Sequence, residues 1–164
     1  MKKFLIAFNK AVSIVSWVVM ITALIYLLIR WNNLPDEIGV HFGPNGEFDV
    51  YASKWYALYP YIVGFGTLIL MWLTNLVASK VKSGLKMNKK GEDELKMSIN
   101  TFTSVLGFIV AVFFAYWAYC VINQVFLSVT LGRIMAYSII FSFLAFIVSL
   151  IIIRVKNPKE SKSE

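Results

Sequence analysis

Four uncharged stretches decide most of what this chain can fold into: residues 11–29, 55–79, 97–132 and 134–153 contain no Asp, Glu, Lys or Arg. A bilayer core of about 30 Å needs roughly 20 apolar residues in a helix that rises 1.5 Å per residue. The first, second and fourth stretches each supply one such helix. The third exceeds one span by enough to hold a helix end and a connecting turn as well. A soluble core built from these helices would need a polar exterior, and a chain with 59% hydrophobic and 15% charged residues does not have one. The predicted fold class is an all-α integral membrane protein in a lipid bilayer. It has four transmembrane helices and a structured extracytoplasmic loop between helices 1 and 2. One domain over residues 1–164 is expected. It comprises a helix–loop–helix region at 11–79, a basic cytoplasmic loop at 80–96 and a second helical pair at 97–154.

The opening Met-Lys-Lys-Phe has the charge of a signal peptide, but Lys10 interrupts the apolar run that follows. The stretch beyond is longer than a typical signal core and ends without a small-residue cleavage pattern, so an uncleaved first helix is predicted. Thirteen of the sixteen Lys and Arg residues fall on the N-terminal segment, the 80–96 loop and the tail; Arg30, Lys54 and Arg133 fall on the other side. By the positive-inside rule the protein is placed in the cell membrane with both termini cytoplasmic and the loop around residues 34–54 outside. The net charge of +7 then reflects helix flanks lying against anionic lipid, and no nucleic-acid partner is implied. Cys120, the single cysteine, has no disulfide partner and reads as a packing residue. Trp31, Trp55, Tyr56, Tyr59 and Tyr61 sit where amphipathic rings meet headgroups, while Trp72 and Trp117 read as packing residues.

The apolar spans carry no charged residue, which is poor material for a proton or ion relay. Gly64, Gly66 and Gly107 would allow close helix approach. Gly91 followed by Glu92, Asp93 and Glu94 suits a helix start, so the third helix begins before the membrane.

The polar island at residues 34–54 holds the only histidine. Pro35 prevents helix continuation and biases Leu34 toward an extended backbone. Gly43-Pro44-Asn45-Gly46 is a turn signal flanked by two segments with alternating apolar residues: Ile38, Val40 and Phe42, then Phe48 and Val50. Two extended segments folding back on each other would lay that apolar face on the membrane surface. His41 would then lie on the opposite side, within reach of Glu47 or Asp49.

These residues also form an ordered pattern: Pro35, Ile38, His41-Phe42, then Gly46 and Asp49, then Ser53-Lys54 before a hydrophobic helix. It resembles a bacterial domain of unknown function that forms the N-terminal part of SdpI-type membrane proteins, over about residues 11–79. The resemblance implies a role in immunity to a secreted toxic peptide, with signalling through a cytoplasmic repressor in some members. The chain departs from the longer members in having fewer helices.

Chemically, His41 with Asp36, Glu37, Glu47 and Asp49 offers one nitrogen and several oxygens, without HExxH, paired cysteines or an EF-hand register. No metal or other cofactor is assigned, and no motif supports Ser53 with His41 as a nucleophile pair. The polar side chains either hold the loop together or recognise an extracellular ligand. The expected function is non-enzymatic: immunity or resistance to a membrane-active peptide through the external loop, with the peptide toxin as partner. Pro35 and Gly46 would shape the loop, Phe42 would anchor it, and His41, Asp49 and Lys54 would supply its polar contacts. The alternative is an accessory subunit of a membrane transporter or sensor, docking on a cytoplasmic or membrane protein through the 80–96 loop.

Overall fold

The computed structural model describes residues 2–85 and 87–158. Lys86, Lys159 and Lys162, which contribute to the charge asymmetry, lie outside the described residues. Four helices, α1 (Lys2–Arg30), α2 (Tyr59–Lys80), α3 (Lys89–Asn123) and α4 (Val129–Lys156), are each long and apolar enough to cross a membrane. The shortest, α2 with 22 residues, is about 33 Å long and already matches a core of about 30 Å. Between α1 and α2 the chain forms a short antiparallel hairpin, β1 (Glu37–Phe42) and β2 (Phe48–Ser53). It is bracketed by single 3-10 turns at Trp31–Asn33 and Lys54–Leu58.

Local sequence accounts for most boundaries. Pro60 sits at the first positions of α2, where its missing N–H costs nothing, so no kink arises there. The helix start anticipated around Gly91 lies earlier: the Asn88 side chain accepts from Gly91 N, and α3 begins at Lys89. The second half of the 80–96 loop is therefore helix. Likewise Ser128 caps α4 through Leu131 N, so Arg133 lies in the first turns of α4 and not in the connecting turn. That turn, residues 124–128, interrupts the long third stretch. Gly91 has a packing role instead: a Cβ there would come within 2.7 Å of Asn157 Cβ. The buried Asn157 side chain donates to Glu94 Oε2 at 2.9 Å, holding the end of α4 on the start of α3.

α3 is the central helix, with α1, α2 and α4 arranged around it. In lipid the hydrophobic effect does not press helices together, so close packing and interhelical hydrogen bonds must do so. Asn9 Nδ2 donates to Thr101 Oγ1 at 2.9 Å, and the Ser13 and Ser104 hydroxyls meet at 3.0 Å. Tyr26 Oη donates to Asn123 Oδ1 at 2.8 Å, and Tyr61 Oη to Ala23 O at 2.9 Å. Ser98 and Ser149 join α3 to α4 at 2.7 Å. Gly64 and Gly107 sit at close helix contacts, whereas Gly66 faces open space. Trp72, expected to pack inside, is 58% exposed on the lipid-facing surface of α2. α4 is apolar all round and buries only Ile153, as suits a helix with lipid on most of its circumference.

A Cβ at position 64 would meet Met20 Cε at 2.5 Å and Phe114 Cβ at 3.2 Å. Gly64→Ile is therefore expected to destabilise the bundle by about 1–3 kcal/mol through overpacking. Gly66→Ile, with nothing within 4 Å, should leave stability unchanged. Thermal unfolding of both variants in detergent checks the contrast.

Candidate functional site

The hairpin turn is closed by Gly46 N–H to Gly43 O at 2.9 Å and by Gly43 N–H to Glu47 O at 2.8 Å, with Pro44 and Asn45 at the central positions. Asn45 Oδ1 accepts from Glu47 N at 3.2 Å while its Nδ2 donates to Glu47 Oε2 at 2.8 Å, so Glu47 is held in the turn. Below it the register runs Phe42–Phe48, His41–Val50, Gly39–Tyr51, Ile38–Ala52 and Glu37–Ser53. Two irregularities interrupt the ladder, leaving Val40 without an opposite residue on β2 and Asp49 without one on β1. One insertion in each strand cancels in overall register, so positions 41 and 49 stay across from each other. Asp49 Oδ1 lies 2.6 Å from His41 Nδ1, with both side chains about half exposed or more.

The apolar side of the hairpin rests on helix ends. Ile38 is fully buried, and Val40, Phe42 and Phe48 pack against the core cluster around α3. The Phe42 ring lies 4.4 Å from Phe48 and 6.5 Å from Trp117. The apolar face expected on the membrane surface is thus mostly covered by protein, and only Val50 remains half exposed.

The docking is fixed by two contacts with the α3–α4 connection. Gln124 ends α3 in a left-handed conformation (φ 51°, ψ 44°), unusual for a residue with a side chain. Its Oε1 accepts from the buried Gly39 N at 2.8 Å, and its Nε2 donates to Val121 O at 2.6 Å. Gly39 must be glycine for another reason: a Cβ would enter the Phe48 ring. At the turn, Leu127 N donates to Gly46 O at 2.9 Å, and a Cβ on Gly46 would clash with Leu127 O. Gly46 also has φ +83°, where a Cβ is strained in any surroundings.

The six residues singled out in the sequence do not form one centre. His41 and Asp49 pair toward the turn, with Phe42 and Gly46 beside them as packing and docking positions. Lys54 lies at the base, where its Nζ is 3.0 Å from Asp36 Oδ1 and its N–H donates to Asp36 O at 3.0 Å. Pro35 is exposed at the entry to β1, after an extended Leu34 (ψ 132°). Trp31 and Trp55 meet edge to face at 4.9 Å. Asp36 and Glu47 are thus engaged away from His41, and among the described residues no group of three His, Cys, Asp or Glu side chains could hold a metal ion. Sequence reasoning missed Gln124, Leu127 and Gly39. The only local sign was a polar Asn-Gln pair closing an apolar helix.

The hairpin and its flanks are also where the chain resembles known proteins. Residues 18–61 match the family described as a domain of unknown function (DUF1648). This domain is found in SdpI-like proteins. The match runs from the second half of α1 through the hairpin to the first turn of α2, well under half of the chain. No curated protein and no solved structure matches the chain.

Gln124→Ala would leave the buried Gly39 amide without its acceptor, a loss of about 1–3 kcal/mol. Gly46→Ala combines a steric clash with a left-handed backbone cost of about 1–2 kcal/mol. Both should lower the unfolding temperature in detergent and raise protease cleavage within residues 37–53. His41→Ala, which breaks only an exposed pair, should change stability by less than about 1 kcal/mol.

Proposed function

We propose that this chain is a non-enzymatic multi-pass protein of the cell membrane whose hairpin, displayed outside the cell, recognises a membrane-active peptide and protects the cell against it. Both termini and the α2–α3 connection face the cytoplasm in this reading. The observation that carries it is the way the hairpin is built. Its apolar side is spent on docking to α3, while His41, Asp49, Glu37 and Asp36 remain at the surface of a firmly held element. The family match over the same residues and the excess of Lys and Arg on the other side of the bundle support it.

The polar pairs give the recognition chemistry. Asp49 engages Nδ1 of His41, leaving Nε2 as the ring nitrogen that meets a ligand. Asp36, 97% exposed at its side chain, presents a carboxylate beside Lys54 at the hairpin base. An acidic, pre-formed surface of this kind suits a cationic peptide approaching along the membrane. Because the hairpin is held by Gln124 and Leu127, binding does not have to order it first.

Deletion of the gene should sensitise cells to a panel of cationic membrane-active peptides, or to the producer's own secretions, and the wild-type gene should restore resistance. His41→Ala and Asp49→Ala should express and insert normally yet fail to restore it. Full protection by both variants would sink the proposal. In the same cells, Glu37→Cys should react with a membrane-impermeant thiol reagent and Leu85→Cys should not, with native Cys120 buried in both.

A further inference from the structure

The end of the bundle away from the hairpin carries a second candidate site. Where α2 and α3 leave their tight contact at Gly107 and Leu68, a groove of about 550 Å3 opens between them. Its wall along α2 and the residue just past it is largely apolar and uncovered: Leu70, Val77 and Val81 are each more than half exposed. Leu95 of α3, 5% exposed, is also part of its lining. From Leu70 to the end of α2 at Lys80 the wall is about 15 Å long, the depth of one leaflet of a core of about 30 Å.

Among the described residues, the charged groups lining this groove are Lys82, Lys96 and Glu92. The carboxylate is already occupied, because Ser83 donates to it from its backbone N at 3.2 Å and its hydroxyl at 2.5 Å. Lys96 Nζ donates one hydrogen to Ser79 O at 3.0 Å, an acceptor at the end of α2, and an ammonium has two more to give. Among the described residues, two cations and one anion therefore stand at the mouth of a leaflet-deep apolar groove, a net positive charge, and the anion's hydrogen bonds come from Ser83.

We propose that this groove binds an anionic phospholipid, with an acyl chain along Leu70, Val77 and Val81 and the headgroup phosphate between Lys82 and Lys96. The charge at the mouth selects this occupant. Among the described residues, a groove of similar size between α3 and α4, about 560 Å3, has Glu94 as its one charged lining residue and no cation to meet a headgroup phosphate. Basic pockets between membrane helices are suited to anionic headgroups for the same electrostatic reason. The site does not depend on the hairpin or on its ligand.

The test is native mass spectrometry of the purified full-length protein with palmitoyl-oleoyl phosphatidylglycerol and the matching phosphatidylcholine. The wild type should retain phosphatidylglycerol with a preference on the order of tenfold. Lys82→Gln with Lys96→Gln should abolish the preference, whereas Lys89→Gln with Lys90→Gln, the same loss of charge outside the groove, should preserve it. Val77→Trp, which fills the groove, should reduce retention of phosphatidylglycerol. Equal retention of the two lipids by the wild type would overturn the proposal. So would an equal effect of the two lysine pairs, or unchanged retention by Val77→Trp.

Discussion

Helices in a bilayer gain nothing from hiding apolar surface from one another, because lipid is as apolar as their neighbours. Everything in this fold depends on how α3 meets that constraint. It takes hydrogen bonds from α1 through Asn9 and Tyr26, shares hydroxyl pairs with Ser13 of α1 and Ser149 of α4, and lets α2 approach at Gly107. The connection that follows it, through Gln124 and Leu127, then holds the hairpin. The same helix is thus both the axis of the bundle and the support of the element it displays.

The hairpin follows from that support. A two-stranded sheet is marginal by itself in water. Here one face is buried against Trp117 and the core cluster, the Gly39 amide is taken by Gln124, and the turn is tied to Leu127. What remains exposed, beside Val50 and Tyr51, is polar and includes two pairs, His41–Asp49 and Lys54–Asp36. The first pair follows from the overall register, which sets position 49 across from position 41, and the bulges at Val40 and Asp49 leave the two side chains within reach. At the other end of the bundle Asn157 and Gly91 bring α4 onto α3, and the groove lined by Lys82 and Lys96 opens beside them between α2 and α3.

Much of this was legible from residue order. Uncharged runs locate the four helices, Pro44-Asn45-Gly46 locates the turn, and the flanking alternation anticipates two paired strands with His41 near Asp49. What could not be read is long-range. The bonds of Asn9 to Thr101 and of Gln124 to Gly39 join residues more than eighty positions apart, and an isolated Asn or Gln gives no sign of its partner. Helix starts shifted because Asn88 and Ser128 cap ahead of the apolar runs. Trp72 was misplaced because an aromatic ring in a span serves equally against lipid or protein. Of the candidate site, the residues were recoverable from the loop pattern, but not their separation into a pair near the turn and a pair at the base.

The docked hairpin is the central claim, and amide hydrogen exchange at Gly39 in lipid nanodiscs tests it most directly. A buried amide bonded to Gln124 should exchange at least about a hundredfold more slowly than the exposed Asn45 amide at the turn. Exchange at Gly39 as fast as at Asn45 would mean that the hairpin is not held on α3, and would contradict the picture of a firmly supported recognition element.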